Sequence, residues 1–262
     1  MCVLALSWQP RSALELAVIA NRDEFHRRPT APLAELSERP GLVGGRDLEQ
    51  RGGWLWAHTS GRLCAVTNVR RPLDADRPPR ASRGRLVAEF MTHDRPVQDA
   101  LQELAATAIL HGPFNLVLYD GATLGYATNV PAFSSRLLPP GVLALSNGPL
   151  DAPWPKARRL TQALTAWRGD QRDADQAPDL SPLFAALVDE REVPDEDLPD
   201  TGVGLALERK LAPPFLRGEH YGTRSSAVVL VSAGALRFAE RRYDSGGLPA
   251  GETMLSLPRT VR

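Results

Sequence analysis

The sequence predicts an α+β fold in which antiparallel sheets carry helices on their outer faces. Apolar, β-leaning runs group into hairpins, and segments with helical periodicity come in pairs. The resulting order is strands, helices, strands, helices, strands, which is not the alternation of a parallel α/β protein. With 262 residues and 43% hydrophobic content the chain can bury a large core. No internal repeat or linker divides it, so we expect a single domain over residues 1–262.

The first half of the chain is predicted to hold two hairpins followed by two helices. A proline-bearing turn joins the first pair of strands, and Ser60-Gly61 joins the second. The helices show apolar residues three and four positions apart, and Ser82 and Pro96 mark their starts. The predicted strands are Cys2–Trp8, Leu14–Asn21, Trp54–Thr59 and Arg62–Val69, and the predicted helices are Ser82–His93 and Val97–Leu110.

The second half repeats this order, with three strands, two helices and a final hairpin. Turns at Asp120-Gly121 and Ala233-Gly234 separate strands, and prolines open both helices. Two acidic, proline-bearing segments, Gly169–Asp179 and Glu192–Gly204, are expected to be mobile loops. The predicted strands are Phe114–Tyr119, Leu124–Thr128, Val142–Ser146, Ser225–Ser232 and Leu236–Tyr243, and the predicted helices are Trp154–Trp167 and Ser181–Glu190.

The composition excludes several classes of protein. Lys+Arg and Asp+Glu both number 31, so the net charge of +0 provides no field for nucleic acid or an anionic membrane. Two cysteines are too few for a disulfide scaffold and fit a reducing compartment. No signal peptide or membrane span is predicted, so we expect a soluble, cytoplasmic protein. The histidines and cysteines lack metal-ligand spacing, and no metal site is predicted.

Cys2 directly follows Met1 and opens an apolar run. A methionine aminopeptidase can remove Met1 before a residue as small as Cys, which would leave a thiol and a free α-amine on one residue. The amine has an ordinary pKa of about 7.7–8.0 and the thiol one of about 8.5. A nucleophile that carries its own base is the principle of N-terminal-nucleophile hydrolases. The alternative is a buried cysteine that packs as a small hydrophobe.

The tetrapeptide Asn21-Arg22-Asp23-Glu24 is predicted to end the second strand. Because the first two strands form a hairpin, it should lie near Cys2. An acid could accept a hydrogen bond from the ammonium, and Arg22 would favour the thiolate. The alternative is a solvated loop with incidental ion pairs.

Ten ordered motifs carry a resemblance to a known family. The motifs are Met1-Cys2, Asn21-Arg22-Asp23-Glu24, Gly44-Gly45-Arg46-Asp47, Gly52-Gly53-Trp54, Thr67-Asn68, Arg83-Gly84-Arg85-Leu86-Val87, Phe114-Asn115, Leu145-Ser146-Asn147, Trp154-Pro155-Lys156 and Tyr221-Gly222-Thr223-Arg224-Ser225-Ser226. With this set the chain resembles the NRDE family, also called the Transport and Golgi Organisation protein family, from Cys2 to about Arg241.

The resemblance implies an N-terminal-nucleophile fold, a four-layer αββα sandwich of two antiparallel sheets. It also implies a site similar to that of bile-salt hydrolases and penicillin V acylases. Asn68 would donate to an oxyanion, Arg224 would hold a thiolate or substrate carboxylate, and Asn147 would help to bind the oxyanion and the free amine. Asn21, Glu24 and Arg46 are expected to contact the ligand. The residues of this chain that match the site residues of those hydrolases, in the same order, are Cys2, Arg22, Asp23, Asn68, Asn147 and Arg224.

The order Arg22-Asp23 departs from those hydrolases, which place extra residues between the Arg and the Asp. Either Asp23 or Glu24 is therefore open as the acid that faces the amine.

A basic segment from Arg70 to Arg85 contains six arginines, with Asp74 and Asp76 as its acids. Arg80, Arg83 and Arg85 are expected to clamp phosphates or propionates, since Arg suits such groups. The alternative is a solvated, proline-rich loop. The segment lacks interleaved aromatic residues, which excludes a nucleic-acid site.

Two functions are consistent with these features. The first is a Cys2-dependent hydrolase acting on an amide or thioester of an amphipathic acyl compound. The second is a non-catalytic carrier for haem or acyl-CoA, in line with the association of the resembled family with haem trafficking and lipid metabolism. Neither requires a cofactor, and haem would be a transported ligand. The expected partner is a small amphipathic ligand: an acyl compound, acyl-CoA or haem.

Overall fold

A computed structural model describes residues 2–72, 80–170 and 178–260 of the chain. Within these ranges the strands are β1 Cys2–Trp8, β2 Leu14–Phe25, β3 Thr30–Glu35, β4 Leu42–Asp47, β5 Leu55–His58, β6 Leu63–Asn68, β7 Phe114–Tyr119, β8 Leu124–Thr128, β9 Ser134–Leu137, β10 Gly141–Leu145, β11 Tyr221–Ser232, β12 Ala235–Tyr243 and β13 Pro249–Pro258. The helices are α1 Arg83–Thr92, α2 Val97–Thr107, α3 Pro155–Asp170, α4 Ser181–Leu187 and α5 Leu205–Leu211. Single 3₁₀ turns lie at Ala108–Leu110 and Asp195–Asp197.

The strands form two antiparallel sheets. The first has the order β10-β1-β2-β11-β12-β13, and the second runs in chain order from β3 to β9. In the first sheet, β2 and β11 each contribute 12 residues and pair along most of their length. Residues from both ends of the chain therefore lie side by side at the centre of this sheet.

Three hydrophobic clusters define four layers. Leu6, Val18 and Val229 of the first sheet pack against Val117 and other residues of the second. The outer face of the second sheet packs on α1 and α2, and the outer face of the first packs on α3 and α4. Because successive strand residues point to opposite faces, each strand serves two of these clusters. The sandwich of antiparallel sheets between helical layers is as predicted.

The strands that the sequence did not predict lie mostly at sheet edges. β3 carries Pro32 and a register shift, β9 is exposed throughout, and β13 is an edge strand with no buried residue. Such strands need no continuous apolar run, because one side or face meets solvent. In β4, Gly44 and Gly45 lie within the strand. A side chain there would collide with the rings of Trp56 and Trp54.

Two further expectations concern the acidic segments and the membrane. Of Gly169–Asp179, residues 171–177 lie outside the described residues. Glu192–Gly204 contains one 3₁₀ turn and otherwise connects α4 to α5 without regular structure. In the described parts of the chain, no helix combines the length and the apolar character needed to cross a membrane.

Candidate active site

Cys2 is the first residue of β1 and lies opposite Arg22 of β2. Strand alternation gives the Cys2 side chain the same face as Leu4 and Leu6, which belong to the core between the sheets. The thiol is therefore at the end of the inter-sheet core, where the sheet begins and where Cys2 remains half-buried. The predicted proximity of the Asn21–Glu24 tetrapeptide to Cys2 is confirmed.

The tetrapeptide lies within β2 rather than beyond its end, which corrects the predicted strand boundary. β2 runs on to Phe25 because β11 pairs with it as far as Tyr221, past the start of β1. Alternation along β2 directs Arg22 and Glu24 to the cleft between the sheets, and Asn21 and Asp23 to the opposite, helix-facing side.

Arg22 spans the cleft beside Cys2. It is 5% exposed, and its guanidinium carbon lies 4.4 Å from the ring centroid of Trp54. One nitrogen, Nη2, lies 4.0 Å from the Glu24 carboxylate. The other, Nη1, is buried without a hydrogen-bond partner in the described parts of the chain. A buried guanidinium nitrogen with an open donor is suited to an anionic oxygen or a thiolate.

Asp23 is 1% exposed and faces α3. Its carboxylate accepts a hydrogen bond from Thr223 Oγ1 at 2.7 Å, and its carbonyl accepts one from Tyr221 Oη at 3.1 Å. Burial raises the pKa of the Asp23 carboxyl, while the charge of Lys156 lowers it. Arg22 pairs with Cys2 in the antiparallel register of β1 and β2. Asp23, the next residue of β2, therefore lies beside the position just before Cys2.

Asn68 and Asn147 meet on the other side of Cys2. The β1–β10 register pairs Leu4 with Leu145, so two further steps bring Asn147 opposite Cys2. Asn147 is fully buried and donates from Nδ2 to Oδ1 of Asn68 at 2.8 Å and to its carbonyl at 2.9 Å. The hydrogen bond from Asn147 thus fixes the Oδ1 atom of Asn68. The Nδ2 atom of Asn68 has no acceptor among the residues that the structure describes.

The end of β10 is also bonded to both sheets. Ser146 Oγ donates to the Cys2 carbonyl at 3.2 Å, and Thr67 Oγ1 donates to the Ser146 carbonyl at 2.6 Å. Asn115 Nδ2 donates to Gly148 O at 2.8 Å. These bonds fix Asn68, Asn147 and Cys2 relative to one another, although they join different strands.

A buried group of charges lies beneath Cys2 and Asp23, on the helix-facing side. Lys156, in the first turn of α3, is 1% exposed and donates from Nζ to Leu211 O at 3.0 Å. Arg70 and Glu208 form a buried ion pair next to it. Sequence reasoning recorded Lys156 only as part of a motif and did not assign it to the site. One signal was present: Lys156 and Lys210 are the chain's two lysines.

Burial raises the pKa of the Cys2 thiol, and the neighbouring Asp23 raises it further, while Arg22 lowers it. The pKa of the Cys2 thiol is raised overall, because the effect of burial is larger than the opposite effect of the Arg22 guanidinium. A thiol with a raised pKa needs a base beside it to become a thiolate at neutral pH. Burial also raises the pKa of Cys64, which is fully buried in the outer face of the second sheet.

The structure separates the arginines of the segment from Arg70 to Arg85. Arg83, the first residue of α1, is half-buried; burial lowers its pKa, while the charges of Cys2 and Glu24 raise it. Arg83 therefore faces the site. Arg80 is exposed, and Arg85 is exposed and pairs with Glu89 along α1. Asp74, Asp76 and Arg77 lie outside the described residues.

Close backbone contact places Arg83 and Trp54 at the site. A side chain on Gly52 would meet the backbone carbon of Gly84 at 2.5 Å, and Gly53 N donates to Gly84 O at 3.2 Å. Glycine is required at this contact because no Cβ fits between the two backbones. Gly52 and Gly53 thus join the loop before β5 to the start of α1.

Three of the predicted site residues have their side-chain contacts elsewhere. Arg224 sits at an irregularity in the β2–β11 pairing, and its Nη1 donates to the carbonyls of Phe25, His26 and Arg28. Asn21 donates to Leu187 O and Pro214 O and accepts from Ser226 Oγ. Arg46 pairs with Glu38 and lies over the ring of Trp56.

The residues brought together around Cys2 have complementary chemistry. A thiol at a strand end is flanked by a partly unpartnered guanidinium, an open amide donor and, behind it, a carboxylate. This set provides a nucleophile, a group for an oxyanion and an anchor for an ammonium, which are the requirements of acyl transfer. Among the described residues, no three His, Cys, Asp or Glu side chains converge in a way that could hold a metal ion.

Solved structures share this fold at very low sequence identity. A Caenorhabditis elegans orthologue of N-acylethanolamine-hydrolyzing acid amidase matches with a TM-score of 0.50 and 10% identity, covering 87% of this chain and 92% of its own. A variant of conjugated bile acid hydrolase from Clostridium perfringens matches with a TM-score of 0.54 and 9% identity, covering 98% and 92%. Both are N-terminal-nucleophile hydrolases, so the predicted fold type is confirmed.

Curated relatives match over nearly the whole chain. Transport and Golgi organization protein 2 homolog of Bos taurus is 34% identical over 263 residues, covering 92% of both chains. The Homo sapiens homolog is 31% identical over 273 residues, covering 97% of both. The family model described as Transport and Golgi organisation 2 matches residues 1–245. The chain therefore belongs to the Transport and Golgi organisation 2 family.

Proposed function

We propose that this protein is an N-terminal cysteine hydrolase that cleaves an amide or thioester of an amphipathic acyl compound. The observation that carries the proposal is the placement of Cys2, whose side chain enters the cleft between Arg22 and Asn147. The fold supports it, since both solved neighbours are hydrolases of the same type. Removal of Met1 would free the α-amine of Cys2 next to Asp23.

The proposed reaction uses the α-amine as a base. The amine takes the thiol proton, and the thiolate sulfur attacks the carbonyl carbon of the substrate, which sends an electron pair to the oxygen. Asn68 Nδ2 and Arg22 Nη1 would stabilise this oxyanion. When the intermediate collapses, the ammonium returns its proton to the leaving amine or thiol. A water molecule then hydrolyses the Cys2 thioester, which releases the acid and restores the thiol.

Asp23 is favoured over Glu24 as the acid that holds the ammonium. Asp23 flanks the position before Cys2 and faces the buried side, whereas Glu24 faces the cleft and lies within ion-pair distance of Arg22 and Arg28. A buried carboxylate accepts an ammonium hydrogen bond without competition from water.

The substrate class follows from the surfaces around Cys2. Trp54 and the edge-to-face pair Phe25–Tyr221, with ring centroids 5.2 Å apart, offer apolar contact area, and Phe25 is 47% exposed. Arg83 adds a cation at the same place. An acyl chain with a polar or anionic head matches this combination. By their names, the two solved neighbours act on an N-acylethanolamine and a conjugated bile acid.

A carrier of haem or acyl-CoA is the second candidate. The raised pKa of the Cys2 thiol favours it, because a neutral thiol is a poor nucleophile at rest. A carrier would use the same apolar surfaces and Arg83, but it would not need the α-amine.

Hydrolysis assays separate the two functions. Wild-type protein would be incubated with long-chain N-acyl amides and acyl-CoA thioesters, with Cys2→Ala and Cys64→Ala as matched variants. We expect turnover that Cys2→Ala abolishes and Cys64→Ala retains. Tight binding without turnover, equal in wild type and Cys2→Ala, would overturn the hydrolase and leave the carrier. In either case Arg83→Gln should weaken binding of an anionic acyl compound more than Arg85→Gln does.

A further inference from the structure

Lys156 is the feature of the site that the proposed reaction leaves unused. It lies beneath the nucleophile on the helix-facing side of the first sheet, and 1% of its surface is exposed. A buried ammonium needs partners for three N–H groups. In the described parts of the chain Nζ has one hydrogen-bond acceptor, Leu211 O at 3.0 Å. Hydrogen bonding alone therefore does not account for the burial of this charge.

The charges that face Lys156 come from four elements. Asp23 of β2 and Glu208 of α5 are acidic, Cys2 of β1 is ionisable, and Arg70 follows β6. Glu208 is occupied by Arg70 in a buried ion pair and accepts hydrogen bonds from Thr201. Asp23 is the other carboxylate whose charge acts on Lys156. Each of the two acts on the other: Asp23 raises the pKa of Lys156, and Lys156 lowers the pKa of Asp23.

We propose that Lys156 is a positioning residue for the amino end of Cys2, whose buried ammonium keeps Asp23 ionised while the Cys2 amine is free to act as a base. The inference rests on the proposed function, because the amine alternates between neutral and protonated forms in the reaction. When the amine is neutral, Asp23 has lost that counter-charge. Burial then favours the protonated form of the Asp23 carboxyl. Lys156 opposes this, with a smaller contribution from Arg22, and Asp23 is ready to receive the ammonium when it forms.

Lys156 carries the charge that this role needs at neutral pH. Burial lowers the pKa of Lys156 to about 8, so the ammonium is the main form at pH 7. The chain has 31 basic residues of which Lys156 and Lys210 are the lysines, and Lys210 is exposed. Lys210 therefore serves as an internal reference in any measurement on lysine.

The first test follows the Cys2 amine through its condensation with an aldehyde to a thiazolidine, which needs the neutral amine and the thiol of one N-terminal cysteine. In Lys156→Met, loss of the lysine charge leaves the Cys2 ammonium as the cation next to the Asp23 carboxylate, which stabilises the ammonium. The midpoint of the pH profile should then rise by about one unit, and condensation at neutral pH should slow about tenfold. In Asp23→Asn the midpoint should fall, because the ammonium loses its anion. A packing defect would not produce shifts of opposite sign.

The second test starts from the wild-type protein, so it does not require the Lys156→Met variant to fold. With ¹³C-labelled lysine, NMR should show Lys156 titrating near pH 8. Asp23→Asn should lower the Lys156 value further. An ordinary titration of Lys156, or one that Asp23→Asn leaves unchanged, would overturn the proposal. So would shifts of the condensation midpoint in the same direction in both variants.

The two proposals fail differently in these tests. If Met1 blocks the amine, no thiazolidine forms and the hydrolase is contradicted, while the NMR titration still decides whether Lys156 and Asp23 are coupled. If thiazolidine forms but Lys156→Met leaves its pH profile unchanged, the hydrolase stands and the role of Lys156 is wrong.

Discussion

At the scale of single residues, Cys2 and Cys64 differ in exposure and not in direction of pKa shift. Burial raises the pKa of both thiols, but Cys2 is half-buried at a strand end and Cys64 is fully buried. Limiting iodoacetamide should therefore modify Cys2 well before Cys64. Because the thiolate reacts, the rate at Cys2 should be low at neutral pH and climb as pH rises past the ordinary thiol value of about 8.5. Peptide mass spectrometry across pH measures both sites.

The contribution of Arg22 can be read in the same experiment. Arg22→Gln removes the cation that lowers the pKa of Cys2, so its alkylation profile should move to higher pH. Equal labelling of the two cysteines, or preference for Cys64, would return Cys2 to a packing role.

Asn68 is predicted to matter more for turnover than for stability. Asn68→Ala removes an acceptor from buried Asn147 Nδ2, which should cost about 1–3 kcal/mol of unfolding free energy. Turnover should fall on the order of 100-fold or more, as for loss of an oxyanion donor.

Asn68→Asp provides the matched control. It keeps an oxygen for Asn147 and removes the Nδ2 donor, so stability should be largely restored while turnover stays low. Kinetics and urea unfolding of both variants measure this. Activity that recovers together with stability would show that Asn68 is a structural amide.

Sequence predicted these residues unevenly, for a physical reason. Cys2, Arg22 and Asp23 could be placed together because one hairpin joins them. Asn68 and Asn147 were expected near the nucleophile only through the family resemblance, since they come from different sheets. Lys156 was missed because its burial depends on α3 packing over β1 and β10, a contact that local patterns do not encode.

At the scale of elements, the contact between the Gly52 loop and the start of α1 is predicted to be intolerant of side chains. Gly52→Ala places a Cβ 2.5 Å from the Gly84 backbone carbon. Relief of this overlap should cost about 1–3 kcal/mol and move Arg83. Gly169→Ala is the control, because it lies in α3 with no atom within 4 Å. It should stabilise by roughly 0.5–1 kcal/mol. Urea unfolding compares the two, and equal effects would contradict the assigned contact.

The elements that sequence predicted are those with a buried face. β1, β7 and β8 were predicted with their observed bounds, because their residues are almost all buried and apolar. β9 and β13 were missed because edge strands can be polar. α5 was missed because it is one short helix, of which Glu208 and Leu211 are the buried residues.

At the scale of the whole molecule, the Arg70–Glu208 ion pair joins the chain after β6 to α5, from distant parts of the sequence. Glu208→Gln removes the carboxylate that pairs with the buried Arg70 guanidinium and should cost about 3–5 kcal/mol. The exposed pair Arg209–Asp195 is the control, and Asp195→Asn should have little measurable effect. Chemical denaturation checks both, and an unchanged midpoint for Glu208→Gln would show that the pair does not join these segments.

The whole architecture was predictable because its order of strands and helices fits few layered arrangements. The order of strands within the sheets was not, since the pairing of β2 with β11 joins residues about 200 positions apart. That pairing carries Asp23 and Tyr221 to one place. Among the described residues, the site therefore depends on the least local strand pairing of the fold.

The measurement that tests the central claim most directly is the intact mass of the purified native-sequence protein. The account predicts a mass that lacks Met1, because only then does Cys2 carry the free α-amine that serves as its base. After brief exposure to an acyl thioester, the mass should increase by the acyl group, and Cys2→Ala should show no such increase. Quantitative retention of Met1 in protein that still turns over substrate, or still binds its ligand, would contradict the claim that Cys2 acts as an N-terminal nucleophile.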